Sequence, residues 1–301
     1  MGEIKIGQVA AAMIDDERAA LTAALEKALE TFHSPMKGSA RKADLDLISA
    51  QTPARREHLE GLSLGLVQDA YNQLRSLDQY AHAITTVLMT DSMLPLPASS
   101  MVRSIHEGAL VLAGLTDASL SPRQRIARMG AFQLENAQGA LNALAAFGVD
   151  YHAEEQEVRA KLTMRHAYME QAGFEIHFKP SKPLLADAVT WQGAKSSLQV
   201  NVTAASSLYM PKSHYSWVLG SGATHCRIWY SDGLSGEWKT IVAGIVAPLL
   251  DVSDLIVDTL LGYMGVDGEG LHENTHHRRK ELLGRVLPGN MKSSYREYQR
   301  A

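Results

Sequence analysis

Residues 53–90, PARREHLEGLSLGLVQDAYNQLRSLDQYAHAITTVLMT, decide the fold class. Leu59, Leu62, Leu66, Ala70, Leu74, Leu77, Ala81, Ile84 and Leu88 recur at intervals of three and four. That spacing lays one apolar stripe along a long helix, whose other faces carry charged and amide side chains. The pattern stops before Pro95 and Pro97.

Helical patterning continues in both directions from this stretch. Downstream, a helix is predicted from Ser99 to Leu115. The next opens at Ser121-Pro122, a cap followed by a first-turn proline, and runs to Phe147, where Gly148 closes it. Another covers Tyr151 to Ala172. Upstream, Asp15 and Asp16 cap a helix that reaches about His33 and carries Leu21, Leu25, Ala28 and Leu29 on one face. His33 to Ser39 then reads as a loop.

Residues 173–197 break the pattern. Phe174-Glu-Ile-His-Phe178 alternates apolar and polar, as a strand does, and Ala188-Val-Thr-Trp191 is its predicted partner. Helices resume over about Ser197–Met210, His214–Tyr230 and Glu237–Tyr263. The expected fold is therefore an all-α multi-helix bundle with a small two-stranded β insert at about 173–197. It forms one domain over residues 1–265, followed by a charged C-terminal segment at 266–301.

Composition agrees with a globular chain. Of 301 residues, 46% are hydrophobic and 21% charged, which excludes wholesale disorder. A single cysteine, Cys226, points to a reducing compartment and a core that needs no disulfide. A net charge of −4 gives no overall attraction to nucleic acid or to an anionic membrane. The most apolar stretch, Thr240 to Gly265, is broken by Pro248, Asp251, Asp254 and Asp258, too often for a membrane span of roughly twenty nearly uncharged residues. Residues 1–14 lack the basic start and apolar run of a signal peptide. A cytoplasmic, soluble protein is expected.

Four residues form the candidate polar core. Arg103 and Glu107 share a face of a helix otherwise made of Met101, Val102, Ile105, Ala109, Leu110, Val111, Leu112 and Leu115. Such a helix is central in a bundle, and charges buried there need partners. Ser221 and His225, also four apart, lie on a helix whose small residues Gly222 and Cys226 allow close approach. The expectation is that Arg103 and Glu107 come within side-chain reach of Ser221 or His225. A serine beside an imidazole is also a nucleophile and base pattern, but a serine in mid-helix usually bonds its own preceding carbonyl.

The helix with Arg103-x-x-x-Glu107, the helix start Ser121-Pro122-Arg-x-Arg125, the strand start Gly173-Phe174 and the helix with Tyr215, Ser221, Thr224 and His225 occur here in one order. Together they resemble a group of bacterial helical proteins distantly similar to the HEPN-like families. The resemblance covers roughly residues 60–265 and implies a helical fold with a polar core. Cys226 stands where the group has glycine, and the C-terminal segment falls outside. HEPN ribonucleases place an arginine shortly before a histidine to position the phosphodiester. Arg75 with His82, and Arg159 with His166, carry that spacing.

His272-Glu-Asn-Thr-His276 matches the zincin pattern, in which two imidazoles on one helix face bind zinc and Glu273 activates water. It follows Gly268 and Gly270 and runs into His277-Arg-Arg-Lys280, a solvated setting with no evident third ligand, so no metal or other cofactor is expected. Glu30-x-x-His33 and Glu273-x-x-His276 lack the further glutamate of a di-iron bundle. From Arg278 onward seven basic residues face two acidic ones, a tail able to touch nucleic-acid phosphates. The leading expectation is an interaction or regulatory protein with a protein partner or a second copy of itself. The alternatives are a HEPN-like ribonuclease and, behind it, a zinc hydrolase.

Overall fold

A computed structural model of the chain describes residues 2–89, 95–147, 152–211, 214–225, 238–268 and 271. The described elements run α1 Gly2–Thr31, α2 Ala40–Ser49, α3 Pro53–Leu88, α4 Pro95–Thr116, α5 Pro122–Phe147 and α6 His152–Gln171, then β1 Phe174–Lys179, β2 Lys182–Trp191 and β3 Ala194–Ser197, then α7 Val202–Tyr209, α8 His214–Thr224 and α9 Trp238–Met264. The described residues are mostly helical, with one small antiparallel sheet. Among the described residues, no helix is long and apolar enough to cross a membrane.

All nine stripe residues of the opening stretch are buried along α3, as a 3.6-residue period against a core requires. The apolar helix α4 is central: it packs against α3, α5, α7, α8 and α9. Its residues Ala98, Ala109, Leu110 and Ala113 have no exposed surface. Helix α5 starts where expected, with a reciprocal cap in which the Ser121 backbone N–H donates to Gln124 Oε1 at 2.9 Å and the Gln124 N–H donates to Ser121 Oγ at 3.4 Å.

Two expectations are corrected, and one helix is added to the expected set. Helix α1 begins at Gly2 and does not start at Asp15. Ala10, Ala11, Met13 and Ile14 are buried and carry the apolar face upstream, while Asp15 sits on the outer side. There it accepts from Arg18, whose Nε donates to Asp78 of α3 at 2.7 Å. Helix α2 was not expected at all. Ser39 caps it by accepting from the Lys42 N–H at 3.1 Å, and its buried residues include the two charged ones, Arg41 and Asp44, which disguise the face. The sheet has three strands in the order β1-β2-β3, not two.

The expected pairing of the first two strands holds, with Phe174 opposite Trp191 and His177 opposite Ala188. The third strand follows a two-residue turn in which Gln192 and Gly193 both take positive φ, 46° and 83°, the geometry of a primed hairpin turn. Its sequence, Ala-Lys-Ser-Ser, has almost no apolar alternation, because β3 has only β2 as a neighbour and exposes one face.

Helix α5 lies across this sheet through Gly130. A Cβ at that position would meet Met169 Cε and Phe174 Cζ, each at 2.7 Å. Gly130→Ala should therefore cost about 1–3 kcal/mol by overpacking, although alanine alone favours a helix by about 1 kcal/mol. Urea denaturation checks the sign: a stabilised variant would mean that the sheet does not press on α5 here.

Candidate functional site

Arg103 and Glu107 pair on α4: Arg103 Nε donates to Glu107 Oε1 at 2.7 Å. The pair is not sealed, since the Glu107 side chain is 37% exposed and that of Arg103 18%. Its worth is that of a partly exposed pair, on the order of 1 kcal/mol or less. Helix α8 meets Arg103 through Gly220, where a Cβ would stand 2.8 Å from Arg103 Cβ, and through Trp217, whose ring centroid is 5.3 Å from the guanidinium carbon. Close approach is seen at Gly220, two residues before the expected Gly222; Cys226 lies outside the described residues.

Ser221 is half-buried, and His225 is exposed just past the end of α8. No hydrogen bond or ion pair among the described residues joins either of them to Arg103 or Glu107. The backbone N–H of His225 donates to the carbonyl of Ser221 at 3.1 Å, as the last turn of a helix does. His272, Glu273 and His276 lie outside the described residues, as does nearly all of the charged C-terminal segment. Of the two arginine–histidine spacings, Arg75 and His82 are exposed on α3. Arg159 is bound to Glu155 at 2.7 Å. His166 is buried against the Phe178 ring, and burial lowers its pKa.

A different polar cluster sits one residue away from the expected one. Ser206 Oγ of α7 lies 3.2 Å from His106 Nε2 of α4 and 3.1 Å from His214 Nδ1 of α8. A single hydroxyl donates one proton, so it gives to one imidazole and accepts from the other. His106 and Ser206 have no exposed surface. Burial pushes the His106 pKa down from 6.5 to about 4; Glu107 opposes this and His214 adds to it. His214 stacks on Trp217, the ring beneath Arg103. The relay thus joins α4, α7 and α8 in one seam.

The opposite face of α7 forms the wall of a cleft of about 370 Å³. Its floor is α4 and α5, and its other wall runs from the end of β3 through the loop to Asn201. Leu110, Val111, Leu115, Ala131 and Phe132 supply apolar surface. The polar end is built by a chain of bonds. Arg128 Nη1 donates to the Gly114 carbonyl at 2.8 Å and to Tyr209 Oη at 3.1 Å, and Tyr209 donates to Asp117 Oδ2 at 2.8 Å. Burial pushes the Tyr209 hydroxyl pKa up, so it stays a donor. Burial alone would raise Asp117, but hydrogen bonds from Ser119 and Tyr209 outweigh it and hold that carboxylate below its ordinary value.

Neither the cleft nor the relay stood out in the sequence. Arg128 continues a basic series with Arg123 and Arg125, and His106 is flanked by an otherwise apolar pattern, which is a signal of a polar group needing a partner. Ser206 and His214 become meaningful only when three helices meet. No family model, curated protein or solved structure matches the chain.

Proposed function

We propose that the protein is a regulatory binding protein whose small-molecule site is the cleft between α4, α5, β3 and α7. The cleft itself carries the reading. About 370 Å³ falls in the range of roughly 300–1,000 Å³ that small-molecule sites occupy, and an apolar lining with a few convergent polar groups is their usual make-up. Binding is favoured over catalysis because the described lining residues include no carboxylate, imidazole or thiol, the groups that general acid–base chemistry uses most. Ser206, the hydroxyl held between His106 and His214, is sealed and out of a substrate's reach.

A regulatory role follows from α7. It presents Ala205, Leu208 and Tyr209 to the cleft and Ser206 to the His106–His214 seam. An occupant that shifts or stiffens α7 acts on the α8 contact at the same time, which gives a partner surface a way to sense the ligand.

The test is a small-molecule thermal-shift screen on wild type and an Ala205→Trp variant, followed by hydrogen exchange with the hits. Expected are compounds that stabilise wild type alone and slow exchange in both α7 and α8. Hits that stabilise both proteins equally would remove the cleft from the argument, and hits that leave α8 unchanged would remove regulation.

A further inference from the structure

We infer that the ligand of this cleft is a single-chain amphiphile with one anionic head, of carboxylate type, and an apolar body on the order of ten non-hydrogen atoms. This rests on the reading of the cleft as a small-molecule site. Three observations on the lining carry it.

The first is charge. The chain has 33 acidic and 29 basic residues, yet the described lining contains two cations, Arg128 and Lys195, and no acid. A cleft of one sign inside a net-negative protein draws anions and repels cations. The second is unused donor capacity. Arg128 bonds through Nη1 to the Gly114 carbonyl and Tyr209, and its Nε and Nη2 make no hydrogen bond among the described residues. Asp117 takes its bond from Tyr209 and attracts Arg128 without bonding to it directly, so part of the guanidinium charge is offset while its Nε and Nη2 donors stay unused. That edge matches a carboxylate in the two-bond fork geometry. Lys195, exposed near the start of β3, adds a second charge without fixed geometry.

The third is the apolar remainder. Leu110, Val111 and Phe132 line the interior, while Val200 and Leu208 stand 39% and 66% exposed at the rim. A bare anion leaves that surface wet; an alkyl or aryl body covers it. At about 30 Å³ for each water-sized group, a cleft of about 370 Å³ holds on the order of ten such groups, one short chain rather than a two-chain lipid.

The experiment is isothermal titration calorimetry of the full chain with decanoate, 1-decanol, decylamine and inorganic phosphate. Wild type is compared with Lys195→Met, Arg128→Gln and Ala205→Trp. Decanoate should bind wild type, lose about tenfold in affinity in each charge variant, weaken with added salt, and fail to bind Ala205→Trp. Decylamine and phosphate should bind at least tenfold more weakly than decanoate. Lys195→Met changes only an exposed side chain, so it keeps the test open should Arg128→Gln fold poorly. If decanol binds as tightly as decanoate, and only Ala205→Trp abolishes it, the cleft reading stands and the anionic head is overturned. Phosphate binding as tightly as decanoate overturns the apolar body. No binding by any probe, or binding that survives Ala205→Trp, overturns the inference and the cleft reading together.

Discussion

Replacing Asp44 by alanine should cost about 3–5 kcal/mol in urea denaturation, as removing one partner of a buried ion pair does. Arg125 reaches across from α5 and forks onto this carboxylate: Nε donates to Oδ2 at 3.0 Å and Nη2 to Oδ1 at 2.8 Å. Tyr263 of α9 donates to the same carboxylate at 2.9 Å. Both members of the pair are almost wholly buried, with side chains 4% and 5% exposed. Burial pushes the Asp44 pKa up, and Arg125 pulls hardest against it. The remaining Arg125 donors go to the carbonyls of Ala40, Asp117 and Leu120, so every part of the guanidinium is fixed before the carboxylate is removed. Without Asp44, the buried Arg125 has no counter-charge, and its Nε and the Tyr263 hydroxyl lose their acceptor. Tyr263→Phe, which leaves the ion pair intact, should cost only about 1 kcal/mol. A joint Asp44→Leu, Arg125→Met replacement should be milder than Asp44→Ala, because the desolvation of both charges disappears together, though buried Arg41 still loses the attraction of Asp44. An Asp44→Ala loss below about 1 kcal/mol would show that water reaches this pair and that α2 is not locked by it.

That cluster also marks where the sequence was legible and where it was not. The stripe of α3 and the caps of α5 declare themselves because periodicity and capping are local: Leu59 to Leu88 and Ser121-Pro122 can be read without knowing what they touch. Helix α2 is the opposite case. Its inward face carries Arg41 and Asp44, which read as solvent-facing until Arg125, Ser63 and Tyr263 arrive from three other helices. Asp15 shows the converse: a residue type that favours caps sits in mid-helix, where Arg18 three residues on holds it. At the candidate site, the charged pair Arg103 and Glu107 was visible because charges on an apolar helix are conspicuous. The neutral His106 between them was passed over, although it is the buried member. The cleft was invisible for a stronger reason. Arg128, Lys195 and Tyr209 come from α5, β3 and α7, and no spacing rule links three positions that only tertiary packing brings together.

The buried imidazole leads to the second large effect, a stability that falls in acid. Burial holds His106 at a pKa of about 4, below its ordinary 6.5. Between those values the unfolded chain binds a proton that the folded chain refuses, so stability is full above about pH 6.5 and is lost progressively as pH falls to about 4. A difference of that size corresponds to about 3 kcal/mol from this one group. Among the described residues, the charged groups that shift it are Glu107, its neighbour on α4, which favours protonation, and His214 of α8, which opposes it. Ser206, from α7, is neutral and serves either imidazole. His106→Gln isolates the contribution, since glutamine keeps a hydrogen-bonding group near Ser206 Oγ and does not titrate. Urea denaturation of both proteins from pH 7 to pH 4 should give stability profiles that converge or cross. The advantage of wild type over the variant should shrink by about 3 kcal/mol across that range. Parallel profiles would mean that His106 is open to water or carries its proton in the folded state. Within that window the folded protein keeps His106 neutral, so helix α7, which carries Ser206 together with Leu208 and Tyr209 of the cleft wall, holds its arrangement while the unfolded chain takes up the proton.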